Sequence, residues 1–472
     1  MKTECTKKYD AFQALGRREI VANFNGGTIS SDGGGILLRE VENRTNILAR
    51  FADCFTDHRN QDLIEHSVLD LVSQRVLAIA LGYEDLNDHD DLSQDQLLAI
   101  LVGKLDPTGQ DRILQRDKGH ALAGKSTLNR LELTPEDAGP EDRYKKIVMN
   151  TEAIDTLLLD TFIESHSTTP EKIILDVDAT DIPLHGNQED RFFHGYYDAY
   201  CYLPLYIFCG NELVCARLRS ASVDGAAGTV EELSRITAHI RSVWPDVNIL
   251  VRGDAGYCRD DIMVWCESQE NMDYLLGLSK NNRLSKEIED ELGLAKIMME
   301  CSGTAARLFK DFEYQTLTSW SQPRRVVAKA EQLIGRTNPR FVVTSLSMEE
   351  HDARTLYEDV YCARGDMENR IKEKQLMLFA DRASSSKMRA NQLRLYFSSI
   401  AYVLMQFLRR IGLAGTEMET AQCDTIRLKL FKIGTRIKIT VRKIWLSYAE
   451  SYPHAEIFKQ VCRNLLKIPI RI

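Results

Sequence analysis

The chain lacks any hydrophobic run that could cross a bilayer. A spanning helix needs about 18 apolar residues, and the longest uncharged apolar run, around Ile400–Leu408, is about half that. Its opening residues, MKTECTKKYDAF, have no apolar signal-peptide core. The expectation is a cytoplasmic protein with no membrane partner. Eleven cysteines are scattered with no Cys-x-x-Cys pair. That argues against a disulfide framework or a zinc site, and for small buried hydrophobes in a reducing compartment. A phosphate loop is missing too: the glycine-rich Phe24–Gly35 (FNGGTISSDGGG) lacks the lysine and the spacing, and reads as a turn. No internal repeat is present. Positive charge is also in deficit, with a formal net charge of −9, which alone argues against nucleic acid.

The distribution of charge argues the other way. From Arg382 to the end, 17 Lys+Arg stand against 5 Asp+Glu. Such asymmetry between parts of one chain points to nucleic-acid contact, with a solvated basic face as the alternative. At 472 residues, 44% hydrophobic and 27% charged, the chain is globular and expected to form two or three domains.

The informative stretch is Ile173–Asp181, IILDVDATD. Its alternation puts Asp176, Asp178 and Thr180 on one face of a strand with Ile174, and Val177 and Ala179 on the other. Carboxylates within an apolar strand are costly unless a cation meets them, and hard oxygen ligands suit a divalent metal. Apolar runs at Tyr200–Phe208 and Leu213–Ser220 predict a hairpin. A helix over Thr229–Val243, a strand Asn248–Arg252, a helix Arg259–Gln269 and a strand Tyr274–Leu278 follow. In such α/β sheets ligands sit at the carboxyl ends of strands, where Asp254 of GDAGY falls.

Short β-like runs (Tyr314–Trp320, Arg325–Ala330, Arg340–Ser345) predict a β-rich insertion. A helix from Leu356 to Phe379 then carries Tyr361, Arg364 and Glu368 on one face. Near the N-terminus, helices are expected from Leu63 and over Ser93–Leu101, and another over Asp142–Ser165. Asn391–Arg410 reads as a core helix, Leu428–Ile444 as a basic strand pair around Gly434, and Ala455–Leu466 as a closing helix.

If Asp178, Asp254 and Glu368 converge, their repulsion forces a proton onto one of them unless cations intervene. Two Mg²⁺ or Mn²⁺ ions about 4 Å apart would relieve that repulsion and serve phosphoryl transfer. The order of D-x-T on a strand, a hairpin, GDAGY, a β insertion and Y-x₂-R-x₃-E on a helix resembles the DDE transposases of bacterial insertion sequences, the YREK-motif branch in particular. The likeness spans about Ile173–Phe379, and ASSSKMRANQLRL and KIGTRIKITVRKIWL extend it.

The resemblance implies an RNase H-like mixed-sheet α/β core over 151–284 and 356–410 and a β-rich insertion over 285–355. It also implies a mostly helical DNA-binding region over 1–150 and a basic region over 411–472. It makes Asp178, Asp254 and Glu368 the catalytic, metal-binding carboxylates, with Asp176 the rival to Asp178, and Tyr361 and Arg364 holders of DNA phosphates. The family lysine falls on Gln375, leaving Lys374 and Lys372 as substitutes. Lys280 resembles a basic position ahead of the insertion. Trp320 is the aromatic offered to an unstacked base, with core packing as its alternative. The implied activity is metal-dependent strand cleavage at transposon ends and transfer into target DNA. The implied partners are double-stranded terminal repeats and target, with a homodimer on DNA beside the bacterial nucleoid. An RNase H-like nuclease that only hydrolyses, or a catalytically inactive DNA-binding derivative, are the rival readings.

Overall fold

The computed structural model describes residues 10–470. The first nine residues, on which most of the export-signal expectation rests, lie outside the described residues, as does the end of the basic tail. Lys172–Ala179 (β1) pairs with the first strand of a hairpin, Leu205–Cys209 (β2) and Glu212–Arg217 (β3), both antiparallel. On its other side lie Asn248–Gly253 (β4) and then Met272–Leu278 (β5), both parallel. The hairpin is shorter than the apolar runs predict. Pro204 removes a backbone donor, and Ala199–Tyr202 leaves to pair elsewhere.

The segment expected as a β-rich insertion extends this sheet. After a helix at Glu289–Ser302, the strands Ala306–Tyr314 (β6), Arg324–Leu333 (β7) and Arg340–Thr344 (β8) add to β5 in the order β5-β8-β7-β6, all antiparallel. With Arg336–Thr337 on β7, the sheet has nine strands, and the main path reads β3-β2-β1-β4-β5-β8-β7-β6. Tyr314–Trp320 is the end of β6 and a turn, not a strand of its own.

The two faces of the sheet follow the alternation of β1. Ile173, Leu175 and Val177 join a core with Thr151–Glu164 (α1), Thr229–Val243 (α2) and Asp260–Glu267 (α3) through Phe162, Leu233, Ile236, Ile240 and Met263. Helix α1 starts later than expected, because Ile147–Met149 is a strand and Asn150 caps the helix on the Ala153 N–H. On the opposite face Ile174 packs with Leu250, Leu275, Val342, Leu356 and Tyr357, so the segment carrying Glu368 lies over the aspartates. Each fully buried aliphatic side chain contributes about 1.5–3 kcal/mol, which offsets the cost of setting two aspartates into β1. Met388–Phe407 (which starts one turn earlier than expected) reaches the hairpin through Tyr402 against Phe208.

All of this belongs to one compact unit, Ile47–Gln61 and Asn129–Gln406. A second unit combines Asp62–Leu128 with the described parts of Met1–Asn46 and Phe407–Ile472. In that unit Ser67 caps Val68–Leu81 with a reciprocal Asp70 bond, and Asp95 caps Gln96–Val102. The basic hairpin sits later in the sequence than expected, at Thr435–Ile439 and Ile444–Tyr448, because Arg427–Phe431 is helical. It pairs with Thr28–Ser30. The GGG run is helical and closely packed: a Cβ on Gly34 would lie 1.6 Å from the Leu430 carbonyl oxygen. The ten cysteines among the described residues are all free, and no helix there is long and apolar enough to cross a membrane.

Candidate active site

The site is built at the carboxyl ends of the parallel strands. Gly253 of β4 is in register with Val177 of β1, so Asp254 leaves its strand beside Asp178. One Asp254 oxygen accepts the Gly256 N–H at 2.8 Å, fixing the carboxylate in a tight turn. The third carboxylate arrives on an irregular helix. Leu356–Tyr361 is a π-helical turn, Cys362–Arg364 a 3₁₀ turn, and Gly365–Lys372 (α4) regular helix. Such irregular turns cluster at functional sites.

Arg364 joins the strand to the helix. Its Nη1 is 3.2 Å from Asp178 Oδ2 and its Nη2 is 2.8 Å from Glu368 Oε1. Two carboxylates that lie far apart along the chain therefore share one guanidinium. Burial pushes the Asp178 carboxyl up to about 6; Arg364 opposes that, while the charges of Asp254 and Glu368 add to it. The three carboxylates thus interact electrostatically, with Arg364 as their counter-charge. The Tyr361 phenol reaches the Asp254 turn, since a Cβ on Gly277 would lie 2.5 Å from its oxygen and 2.8 Å from the Ala255 nitrogen. Burial raises the pKa of that phenol and keeps it protonated.

Asp176 has a different setting. Arg252, opposite it in register, grips it with Nε at 2.5 Å and Nη2 at 2.7 Å, and also donates to the Val360 carbonyl. The pair is buried and pins the π-helical turn to the sheet. Asp176 is thus paired with Arg252, while Asp178 shares Arg364 with Glu368. Sequence reasoning overlooked Arg252, although a lone arginine in an apolar strand, two residues before Asp254, was the available signal.

Two expected DNA contacts lie inside the protein. Lys374 is fully buried with its Nζ 4.4 Å from the centre of the Tyr206 ring and no hydrogen-bond partner, and burial lowers its pKa well below the ordinary value. It shares a stripe with Met367, Ile371 and Leu378, so a phosphate does not reach it here. Trp320 is also core, edge-on to Tyr314 at 5.7 Å with Arg324 over its ring at 5.6 Å; no face is left for a base. Gln375, next to Lys374, donates to the Asp181 carbonyl. Lys372 and Lys280 are exposed, and Lys372 lies one turn beyond Glu368 on the same helical face.

Residues 12–470 match the transposase DDE domain, group 1. The chain belongs to this family. No curated protein matches it. Members of this DDE family use divalent metal ions, and the all-oxygen donor set of Asp178, Asp254 and Glu368 suits a hard cation. Among the described residues, however, no three His, Cys, Asp or Glu side chains are close enough together to hold one. The guanidinium of Arg364 lies between Asp178 and Glu368.

Proposed function

We propose that this DDE domain is a bacterial insertion-sequence transposase of the YREK type. It cleaves strands at the ends of its element and joins the freed 3′-hydroxyl to target DNA. The observation that carries the reading is Arg364 reaching Asp178 and Glu368 at once, with Asp254 on the adjacent strand. The strand order β3-β2-β1-β4-β5 supports an RNase H-like core. Asp178, Asp254 and Glu368 would hold two Mg²⁺ or Mn²⁺ ions. When bound, the ions would stabilise charge on the attacking and leaving oxygens of the phosphodiester.

The chain's own groups do the positioning. Arg364, released from the carboxylates, turns to the non-bridging phosphate oxygens, where a planar fork binds two at once. Tyr361 donates its phenol proton to the same backbone from beside Asp254. Lys372, one turn past Glu368, takes the role for which Lys374 is too deeply buried, and Lys280 meets the strand at the end of β5. Fixing the scissile bond in line with the attacking oxygen supplies much of the rate. Joining two ends calls for a homodimer on double-stranded DNA, at the nucleoid in the cytoplasm.

The test is cleavage of labelled end DNA by Asp178→Asn, Asp254→Asn and Glu368→Gln in Mg²⁺ or Mn²⁺. Each should lose cleavage by at least about a thousandfold, in line with loss of a group that acts on the reacting atoms, while still binding the DNA. Wild-type cleavage by any one of them removes that residue from the reaction. Strand transfer from a pre-cleaved 3′-hydroxyl end separates a transposase from a nuclease that only hydrolyses.

A further inference from the structure

Three layers of side chains follow one another along the face of the sheet that carries the carboxylates. Alternation puts Ile174, Asp176 and Asp178 of β1 on that face. Register sets Leu250 of β4 beside Ile174 and Arg252 beside Asp176, and Asp254 follows two residues later. The first layer is apolar, the second is the buried Asp176–Arg252 pair, and the third is the two carboxylates at the strand ends. Two residues of strand, about 7 Å, separate one layer from the next.

The segment carrying Glu368 crosses the layers in the same order. Leu356 and Tyr357 pack with Ile174 and Leu250. Val360, about one turn on, offers its carbonyl to Arg252. Tyr361 then lies beside the Asp254 turn, and Arg364 meets Asp178 and Glu368. The π-helical turn ends at Tyr361. The Gly365 N–H, five residues past Val360, donates to Ala363 and Cys362, so Arg252 supplies a donor where the π ladder stops.

Apolar packing is non-directional, and the first layer alone does not fix how far the segment extends over the strands. A guanidinium is a rigid planar fork. With Nε and Nη2 on the two oxygens of Asp176, Nη1 has one direction left, and the Val360 carbonyl sits there. Arg252 thus belongs to the strand that leads to Asp254, grips the strand of Asp178 and holds the segment of Glu368.

We propose that Arg252 is a positioning residue for strand cleavage. By tying Asp176 to the Val360 carbonyl it sets the height of Glu368 over Asp178 and Asp254. The proposal rests on the catalytic reading of those three carboxylates and deepens it. Arg252 lies buried one layer beneath them and acts only through them.

The main variant is Asp176→Leu combined with Arg252→Met in the full chain. Removing both charges together orphans neither, and such replacements are often neutral for stability. The double variant should melt near the wild type and bind end DNA with wild-type affinity. Its cleavage rate at saturating DNA and Mg²⁺ should fall about a hundredfold, the size that a misplacement of about 1 Å produces. In the metal-free chain, amide hydrogen exchange should quicken across Leu356–Glu368 and stay unchanged in β1 and β4. Arg252→Lys keeps a charge beside Asp176 without the fork. It serves as the test if the double variant does not fold, and should show the same split between rate and affinity, with a fall of about tenfold.

Wild-type cleavage rates in every variant that folds overturn the proposal, as does wild-type exchange across Leu356–Glu368. A loss of DNA affinity with the rate intact also overturns it, because a positioning residue acts on the chemical step. The catalytic reading fails separately. Active Glu368→Gln would sink that reading, while exchange in the metal-free chain still reports whether Arg252 holds the segment. Inactive Glu368→Gln beside a fully active double variant would sink this proposal alone.

Discussion

Arg364 pairs with both Asp178 and Glu368, two of the groups proposed above to hold a divalent cation. Arg364→Ala should therefore tighten Mn²⁺ binding to the DNA-free chain, measured by calorimetric titration; unchanged or weaker affinity would mean that arginine and metal do not compete. The two aspartates of β1 should separate in another experiment. Burial pushes the Asp178 carboxyl up to about 6 and Arg364 offsets only part of that, so its ionised form is held at a cost. Asp178→Asn should then melt no lower than the wild type at neutral pH without metal. Arg252→Met strips the buried Asp176 of its partner and should cost about 3–5 kcal/mol, the usual penalty for orphaning a buried charge. Thermal unfolding of the two variants side by side checks both, and equal losses would contradict the division of roles between the aspartates.

At the level of elements, the segment from Leu356 to Met377 holds both a motif that was legible in the sequence and a buried lysine that was not. The words D-x-T, GDAGY and Y-x₂-R-x₃-E were readable because each sits at a strand end or on a helix face whose periodicity the sequence shows. Lys374 was misjudged because its charge suggested DNA, although its spacing from Met367, Ile371 and Leu378 already marks a buried stripe. Trp320 failed similarly: whether its ring faces are covered depends on Tyr314 and Arg324, and that is a tertiary fact. The inserted strands were expected, but their joining of the main sheet was not, because edge pairing leaves no local signature. Lys374→Met should leave DNA affinity unchanged and raise stability by about 1 kcal/mol or more, since it removes a buried amine without a hydrogen bond. A fall in affinity would restore the lysine to the DNA. In the other unit, Gly34→Ala has no room beside Leu430 and should cost at least about 2 kcal/mol, as overpacking against backbone does.

For the whole molecule the question is how a chain of net charge −9 holds a polyanion. The surplus of positive charge lies after Arg382, and part of it is concentrated on one exposed hairpin. Arg436, Lys438, Arg442 and Lys443 all face solvent there, with Lys443 over the exposed Trp445 ring at 5.3 Å. Alternation explains the pattern: Thr435 and Ile437 turn inward while Arg436 and Lys438 turn out. Side chains of this kind recognise backbone charge and not sequence. Replacing Lys438 and Arg442 together by alanine should therefore weaken binding to end DNA and unrelated duplex by a similar factor. It should also reduce the slope of log affinity against log salt by about 2, near 0.9 for each phosphate no longer neutralised. Fluorescence anisotropy across a salt series measures both quantities. A loss confined to end DNA would make the hairpin a reader of base sequence, and an unchanged slope would mean that the charge excess of the tail is only a solvated face.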